Sequence, residues 1–264
     1  MKPDTMLDPS LRRAVQPLVG PIEEVRPLGG GSINDVRLVR GRRGSVVLKL
    51  GREPRARAMF AAEAEGLTAL RQAGALRVPE VLLLHDEPPA LALEYIAPGR
   101  PDGRFWATFG ESLALLHRTR GRAFGFPHDN FIGSLPQKNT LTADGAEFYR
   151  RYRLEAQLAM PGCQRLLDRG DRRAFERLFR RLPDLLPDEP PALIHGDLWS
   201  GNFLCDASGR AALIDPATCW CYREMDIAMA QLFGGFAPAF FEAYAAAWPH
   251  EPGLPDRIDL FQLY

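Results

Sequence analysis

His195-Gly196-Asp197-Leu198-Trp199-Ser200-Gly201-Asn202, followed eighteen residues after Asp197 by Ile214-Asp215-Pro216-Ala217, is the stretch that decides how this chain is read. An Asp is followed five residues later by an Asn, and a second Asp comes after the tight turn Asp206-Ala207-Ser208-Gly209. Phosphoryl transfer needs a carboxylate beside the acceptor hydroxyl, and oxygen ligands for the magnesium that bridges nucleotide phosphates. On this pattern Asp197 orients or deprotonates the hydroxyl. Asn202 and Asp215 hold magnesium, a hard cation that prefers such oxygens. Asp, Asn and Gly are also ordinary turn and cap residues; their joint spacing argues against that plainer reading.

Working outward, the stretch from about Arg55 to Ala73 has helical periodicity, with Gly74 placed to end it. At a 3.6-residue period Met59, Leu67 and Leu70 share one face, and Glu63 falls in the middle of it. A carboxylate in an apolar stripe is costly unless a cation neutralises it, or unless the helix rotates to give it solvent. Lys49 is the natural cation, because it ends an apolar strand and the only other lysines are Lys2 and Lys138. A strand lysine held by a helix glutamate is how kinase-like enzymes aim a lysine at ATP phosphates. Upstream, Leu28-Gly29-Gly30-Gly31-Ser32-Ile33-Asn34 precedes the first clear strand. Its glycines let backbone N–H groups approach phosphate oxygens, though a plain flexible turn has the same composition. It is not a Walker A motif, which runs Gly-Lys-Ser/Thr into a helix.

The first hundred residues alternate strand patterns with that one helix. Val36–Val39 and Ser45–Leu50 are parted by a Gly-Arg-Arg-Gly turn, and Val81–Leu84 and Ala90–Ile96 by Glu87-Pro88-Pro89. Ala97-Pro98-Gly99-Arg100-Pro101 then breaks the pattern as a linker. Beyond it, Phe105–Arg118, Ala146–Leu158, Asp171–Leu182 and Glu224–Phe233 carry helical periodicity, around a β-like island from Leu193 to Ile214. The expectation is an α+β, two-lobed, protein-kinase-like fold. A small β-rich ATP-binding lobe spans residues 1–97, and a larger helical lobe for catalysis and substrate spans 98–264.

Composition agrees with an ordinary globular protein: 264 residues, 46% hydrophobic and 25% charged, with 33 basic and 33 acidic residues. No bulk field argues for nucleic acid or an anionic membrane, so any phosphate site is built locally. The N-terminus has no apolar signal core and no window approaches a membrane span, which sets a cytoplasmic expectation. Cys163, Cys205, Cys219 and Cys221 form no C-x-x-C pair; Cys219-Trp220-Cys221 reads as local packing rather than a zinc site.

His-Gly-Asp-Leu-Trp-Ser-Gly-Asn at 195–202 resembles the signature of the fructosamine (ketosamine) kinase family, within the wider aminoglycoside and choline kinase superfamily. Gly29–Asn34, Val78-Pro79, Asp129–Ser134 with Pro136-Gln137, and Phe233-Gly234-Gly235-Phe236 agree, so the likeness covers nearly all of the chain from about Gly20. The resemblance implies a protein-kinase-like fold using ATP and Mg2+. Gly29, Gly30, Gly31, Ser32, Lys49 and Glu63 then belong to the nucleotide site, and Leu93, Glu94 and Ile96 to a hinge that meets adenine. It implies phosphorylation of a ketosamine sugar, usually at its third hydroxyl, to an unstable product that frees the amine. Asp226 by the same likeness anchors the catalytic loop through backbone N–H groups.

His195 is read as fixing the catalytic loop rather than as a base, and His117 as a satisfied core or helix-end histidine. Trp199 either stacks on a sugar or packs. Asp129, Asn130 and Gln137 sit in a loop too polar for core, and are expected to line the acceptor pocket. Ser32 stands where many relatives carry cysteine, so no thiol switch is expected there. The chain stops at Phe261-Gln262-Leu263-Tyr264 within a helical pattern where relatives continue, which reads as either a truncated or a naturally short end. Two competing readings keep the fold: a kinase of an aminoglycoside, choline or another alcohol, and a non-catalytic binding protein. The loops from Pro127 to Asn139 lack the acidic cluster that a cationic acceptor favours, and no catalytic residue is missing.

Overall fold

The computed structural model describes residues 7–29 and 35–264. Gly30, Gly31 and Ser32, expected at the nucleotide phosphates, lie outside the described residues.

Helix α1 (Pro9–Val19) opens the chain, with the Asp8 carboxylate accepting the Ser10 N–H at 2.8 Å as its N-cap. Strands β1 (Ile22–Pro27), β2 (Asp35–Gly41) and β3 (Gly44–Leu50) follow, then α2 (Ala56–Ala73), β4 (Val81–His85) and β5 (Ala90–Glu94). These five strands make one antiparallel sheet in the order β1-β2-β3-β5-β4. Leu11, Val15 and Val19 recur every four residues on α1 and pack with Val39, Val46, Leu48, Ala90 and Ala92 as one buried core. Helix α2 buries Phe60, Gly66, Leu67 and Leu70, and Gly74 ends it in the left-handed conformation (φ 70°).

The chain continues through α3 (Phe105–His117), the hairpin β6 (Asn130–Ile132) and β7 (Leu135–Gln137), and α4 (Gly145–Tyr149). A π-helical turn, Arg150–Leu154, joins α4 to α5 (Glu155–Leu158), so the single helix expected over 146–158 carries a bulge at its centre. Next come α6 (Pro161–Leu166), α7 (Arg169–Leu185), β8 (Ala192–Ile194), the hairpin β9 (Phe203–Cys205) and β10 (Ala211–Leu213), and β11 (Cys219–Cys221). The chain ends with α8 (Glu224–Phe233), α9 (Pro238–Ala247) and α10 (Leu254–Phe261).

Two compact units result, and their division differs from a single cut at the Pro-rich linker. One unit comprises residues 1–105 together with Gly201–Pro216; the other comprises Trp106–Ser200 and Ala217–Tyr264. The β9–β10 hairpin, expected with the C-terminal part, belongs to the first unit for reasons visible in its bonds. Gly99 N–H donates to Cys205 O at 2.8 Å, and Leu213 N–H donates to Arg77 O at 2.9 Å. Arg77 also reaches the buried Asp206 carboxylate at 2.7 Å and Glu94 at 2.9 Å. A Cβ at Gly99 would stand 2.1 Å from Asp206 O, so the approach requires glycine there.

In the second unit, α3 and α9 cross so closely that a Cβ on Gly110 would lie 2.1 Å from Phe240 O. Phe109, Phe236 and Phe240 pack there, with Phe109 and Phe240 edge to face at 5.0 Å. Helix α10 is tied to α8 by Arg257, whose guanidinium meets both oxygens of the buried Glu224 at 2.6 and 2.8 Å. Among the described residues no helix is long and apolar enough to cross a membrane.

Candidate active site

The first unit builds a cavity of about 350 Å³ against its sheet, walled by Val36, Val47, Leu93, Ile96, Leu204 and Ile214. Gly29 and Glu94 also line it, and its polar residues include Lys49 and Asp215. Lys49 reaches it from the middle of the sheet, since β3 is flanked by β2 and β5. Its Nζ donates to Glu63 Oε1 and to Asp215 Oδ1, each at 2.6 Å. Burial by itself would lower the lysine's proton affinity; the charges of Glu63 and Asp215 outweigh it and raise Lys49 above its ordinary value. Burial pushes Glu63 up, with Asp215 adding to that push against the pull of Lys49.

Asp215 is the one non-glycine residue among those described with a left-handed backbone (φ 55°). Asp tolerates that region better than most residues, and such strain recurs at functional loops. The turn is tied to Asn202, whose carbonyl accepts Ile214 N–H at 3.0 Å and whose amide donates to Asp215 O at 3.4 Å. Asn202 and Asp215 are therefore brought together, while Glu94 is occupied differently. Its carboxylate accepts from Arg77 at 2.9 Å and from Glu80 N–H at 3.2 Å.

The second unit builds the loop that carries Asp197. Asp226, buried near the start of α8, accepts His195 N–H at 2.7 Å with one oxygen and Gly196 N–H at 2.8 Å with the other. Its first oxygen also meets His117 Nε2 at 3.1 Å, and His117 Nδ1 meets Tyr244 OH at 2.8 Å. Burial alone would raise Asp226; the His117 contact, the charges of both histidines and the Gly196 N–H hold it below the usual carboxylate range. Gly196 has φ 82°, and a Cβ there would fall 2.2 Å from Ala217 O, so only glycine makes this turn. Ala217 N–H donates to His195 O at 2.9 Å, and Asp197 N–H to His195 Nδ1 at 3.3 Å. The imidazole of His195 is fully buried beneath the half-buried Asp197.

Trp199 is 39% exposed, with its ring 6.3 Å from that of Phe233, itself 61% exposed. Phe233 ends α8, and the strap after it presses Gly235 onto Ser200, where a Cβ would sit 2.6 Å from the serine Cβ. This neighbour of Trp199 was not legible as such; the only signal was the motif Phe233-Gly234-Gly235.

The structure corrects the expectation that the loop at 129–139 is too polar for core: Asn130 and Gln137 are buried. Asn130 donates to Thr218 O at 2.9 Å and accepts from Gln137 and Asn139 at 2.8 Å each. Polar side chains form core here because every one finds a partner. Asp129 is half-committed, pairing with Lys138 at 2.6 Å and accepting Asn139 N–H at 2.9 Å. His117 is a satisfied core histidine.

A β-sheet unit with a strand lysine paired to a helix glutamate, and a helical unit with an anchored Asp loop, define a phosphotransferase of the protein-kinase-like fold. The crystal structure of a Thermobifida fusca protein assigned as a fructosamine-3-kinase superposes with a TM-score of 0.85 at 32% identity, covering 96% of this chain and 89% of that one. Solved choline and aminoglycoside kinases, under 25% identical, share the fold. The family model described as fructosamine kinase matches residues 12–264, and the chain belongs to that family. It is 37% identical to a probable ketoamine kinase of Enterococcus faecium, over 91% of this chain and 86% of the relative. It is 32% identical to the ketosamine-3-kinase of Mus musculus, over 89% and 85% respectively.

Proposed function

We propose that this protein transfers the γ-phosphoryl group of ATP to a sugar hydroxyl of a ketosamine, the third hydroxyl being the expected acceptor. The observation that carries the reading is Lys49, buried and held by Glu63 and Asp215 at 2.6 Å each on the wall of an apolar cavity, in a chain of this family. The cavity takes the adenine against Leu93 and Ile96, and Lys49 meets the phosphates. The unit containing it is the ATP-binding part, and the unit containing Asp197 is the catalytic and acceptor part.

Asn202 and Asp215 offer side-chain oxygens at the two ends of the β9–β10 hairpin, joined by an amide-to-carbonyl hydrogen bond at 3.4 Å, and such a donor set suits Mg2+ completed by phosphate oxygens. When bound, the ion neutralises charge on the β- and γ-phosphates. Asp197 accepts the proton of the attacking hydroxyl or aligns it. Its loop is fixed beforehand by Asp226, so no ordering cost falls on the reacting complex. Trp199 and Phe233 offer an aromatic surface for the sugar. A cytoplasmic setting, where Mg-ATP is supplied, is part of the same reading. Asp197→Asn tests the assignment of roles: turnover is expected to fall by about 10³-fold or more while ATP affinity stays within about three-fold. Unchanged turnover would remove Asp197 from the chemistry.

A further inference from the structure

Cys219 and Cys221 alternate with Trp220 on β11, so both thiols leave the same face of the strand. Both are buried. Cys221 Sγ lies 3.1 Å from Met225 Sδ, in the first turn of α8. Two thiols on one face of a strand, one of them in contact with a thioether, thus gather outside the site described above. Met225 is half-buried.

Arg153 supplies a second, independent observation. Its guanidinium is fully buried, with Nη2 donating to Cys219 Sγ at 3.3 Å and to Asn139 Oδ1 at 2.8 Å. Nη1 donates to the carbonyls of Lys138 and Tyr152, and Nε has no partner. None of these acceptors is a carboxylate; Asp129 acts on Arg153 only through its longer-range field. The rings of Phe148 and Tyr264 face the guanidinium at 4.7 and 5.4 Å, and the Cys219 thiol it touches is a group that can become an anion beside it.

We propose that Cys219, Cys221 and Met225 form a binding site for copper(I), with Arg153 balancing its charge. Soft thiolate and thioether ligands select Cu(I) over harder ions. Two thiolates around one Cu+ carry a single negative charge, which the guanidinium neutralises. Uptake exchanges the two thiol protons, released to solvent, for one Cu+, and no atom changes oxidation state. Zinc wants four tetrahedral ligands, and among the described residues no group of three or more His, Cys, Asp or Glu is placed to hold a metal. The site is independent of the kinase reading, although Met225 directly precedes the loop anchor Asp226.

Anaerobic titration of the full chain with copper(I) buffered by bicinchoninate tests this, read by loss of the chelator's colour and by the ultraviolet thiolate-to-copper band. One equivalent is expected to bind. Cys221→Ser is expected to weaken binding by about ten-fold or more, and Met225→Leu by about three-fold. Cys163→Ser and Cys205→Ser are expected to leave it unchanged. Failure of the wild type to compete with the chelator, or undiminished uptake by the Cys219→Ser/Cys221→Ser double variant, would overturn the proposal. Should the double variant not fold, X-ray absorption on the loaded wild type decides. Sulfur-only coordination supports the site, and nitrogen or oxygen neighbours overturn it.

Discussion

Lys49 Nζ lies as close to Asp215 Oδ1 as to Glu63 Oε1, at 2.6 Å, although Asp215 is 166 positions further along the chain. The lysine therefore has two carboxylate partners of unlike kind: one from the helix beside the sheet, and one from the turn after β10. Deleting the cation leaves both carboxylates without compensation, whereas neutralising Glu63 leaves the lysine still held by Asp215. Lys49→Met is expected to lower kcat/KM by about 10³-fold, and Glu63→Gln by about 10-fold. Steady-state kinetics with varied ATP would check the order. An equal loss in the two variants would contradict the division of labour.

Asp226 satisfies two main-chain N–H groups and one imidazole from a fully buried position. Asp226→Asn turns one acceptor into a donor facing N–H groups, so the loop loses its anchor. The expected cost is about 2–4 kcal/mol of stability. A drop in kcat with little change in KM for ATP should accompany it. Chemical denaturation and kinetics on the same preparation would read both.

Acid sensitivity should concentrate on Asp206. Its carboxylate is buried, and burial alone would raise its pKa. Hydrogen bonds from Ser208, Arg77 and Arg210 outweigh this and hold it below the ordinary value. A carboxyl lowered in the folded state stabilises fully above its unfolded value of about 3.9, and that contribution fades as pH falls through the lower folded value. Asp206→Asn is expected to cost about 1.5–3 kcal/mol at neutral pH. It should also flatten the dependence of unfolding free energy on pH below about 4. Denaturant titrations from about pH 2 to 6, which bracket the unperturbed carboxyl value of about 3.9, would show it.

Much of this was legible because it is local. The spacing from His195 to Asp215 is a property of one loop and one hairpin, and Glu63 betrayed itself by sitting in an apolar stripe. Helix α1 escaped notice although its marks are present. Asp8-Pro9 begins it and Leu11, Val15 and Val19 repeat every four residues, but Pro17 interrupts the pattern. The hairpin β6–β7 misled for a different reason. Asn130 and Gln137 read as too polar for core because composition cannot show that they and Asn139 satisfy one another. The contact of Asp215 with Lys49 and the transfer of β9–β10 to the first unit depend on long-range pairing, which no local pattern encodes.

Phe233 and Gly235 carry a prediction about acceptor binding. The strap touches Ser200, and Phe233 stands beside Trp199, both within the segment that follows Asp197. Phe233→Ala is expected to raise KM for the acceptor by about 3–10-fold while leaving KM for ATP unchanged. Gly235→Ala meets both a 2.6 Å clash and a left-handed backbone (φ 85°), and is expected to cost about 1–3 kcal/mol of stability. Equal effects of Phe233→Ala on both Michaelis constants would place it outside the acceptor site.

The acceptor is decided most directly by ADP release from Mg-ATP with fructosyl-lysine or a ribulosamine, using kanamycin and choline as parallel acceptors. Turnover is expected with the ketosamine and is lost in Asp197→Asn, with none above background for the two controls. Turnover with kanamycin or choline and not with the ketosamine would contradict it.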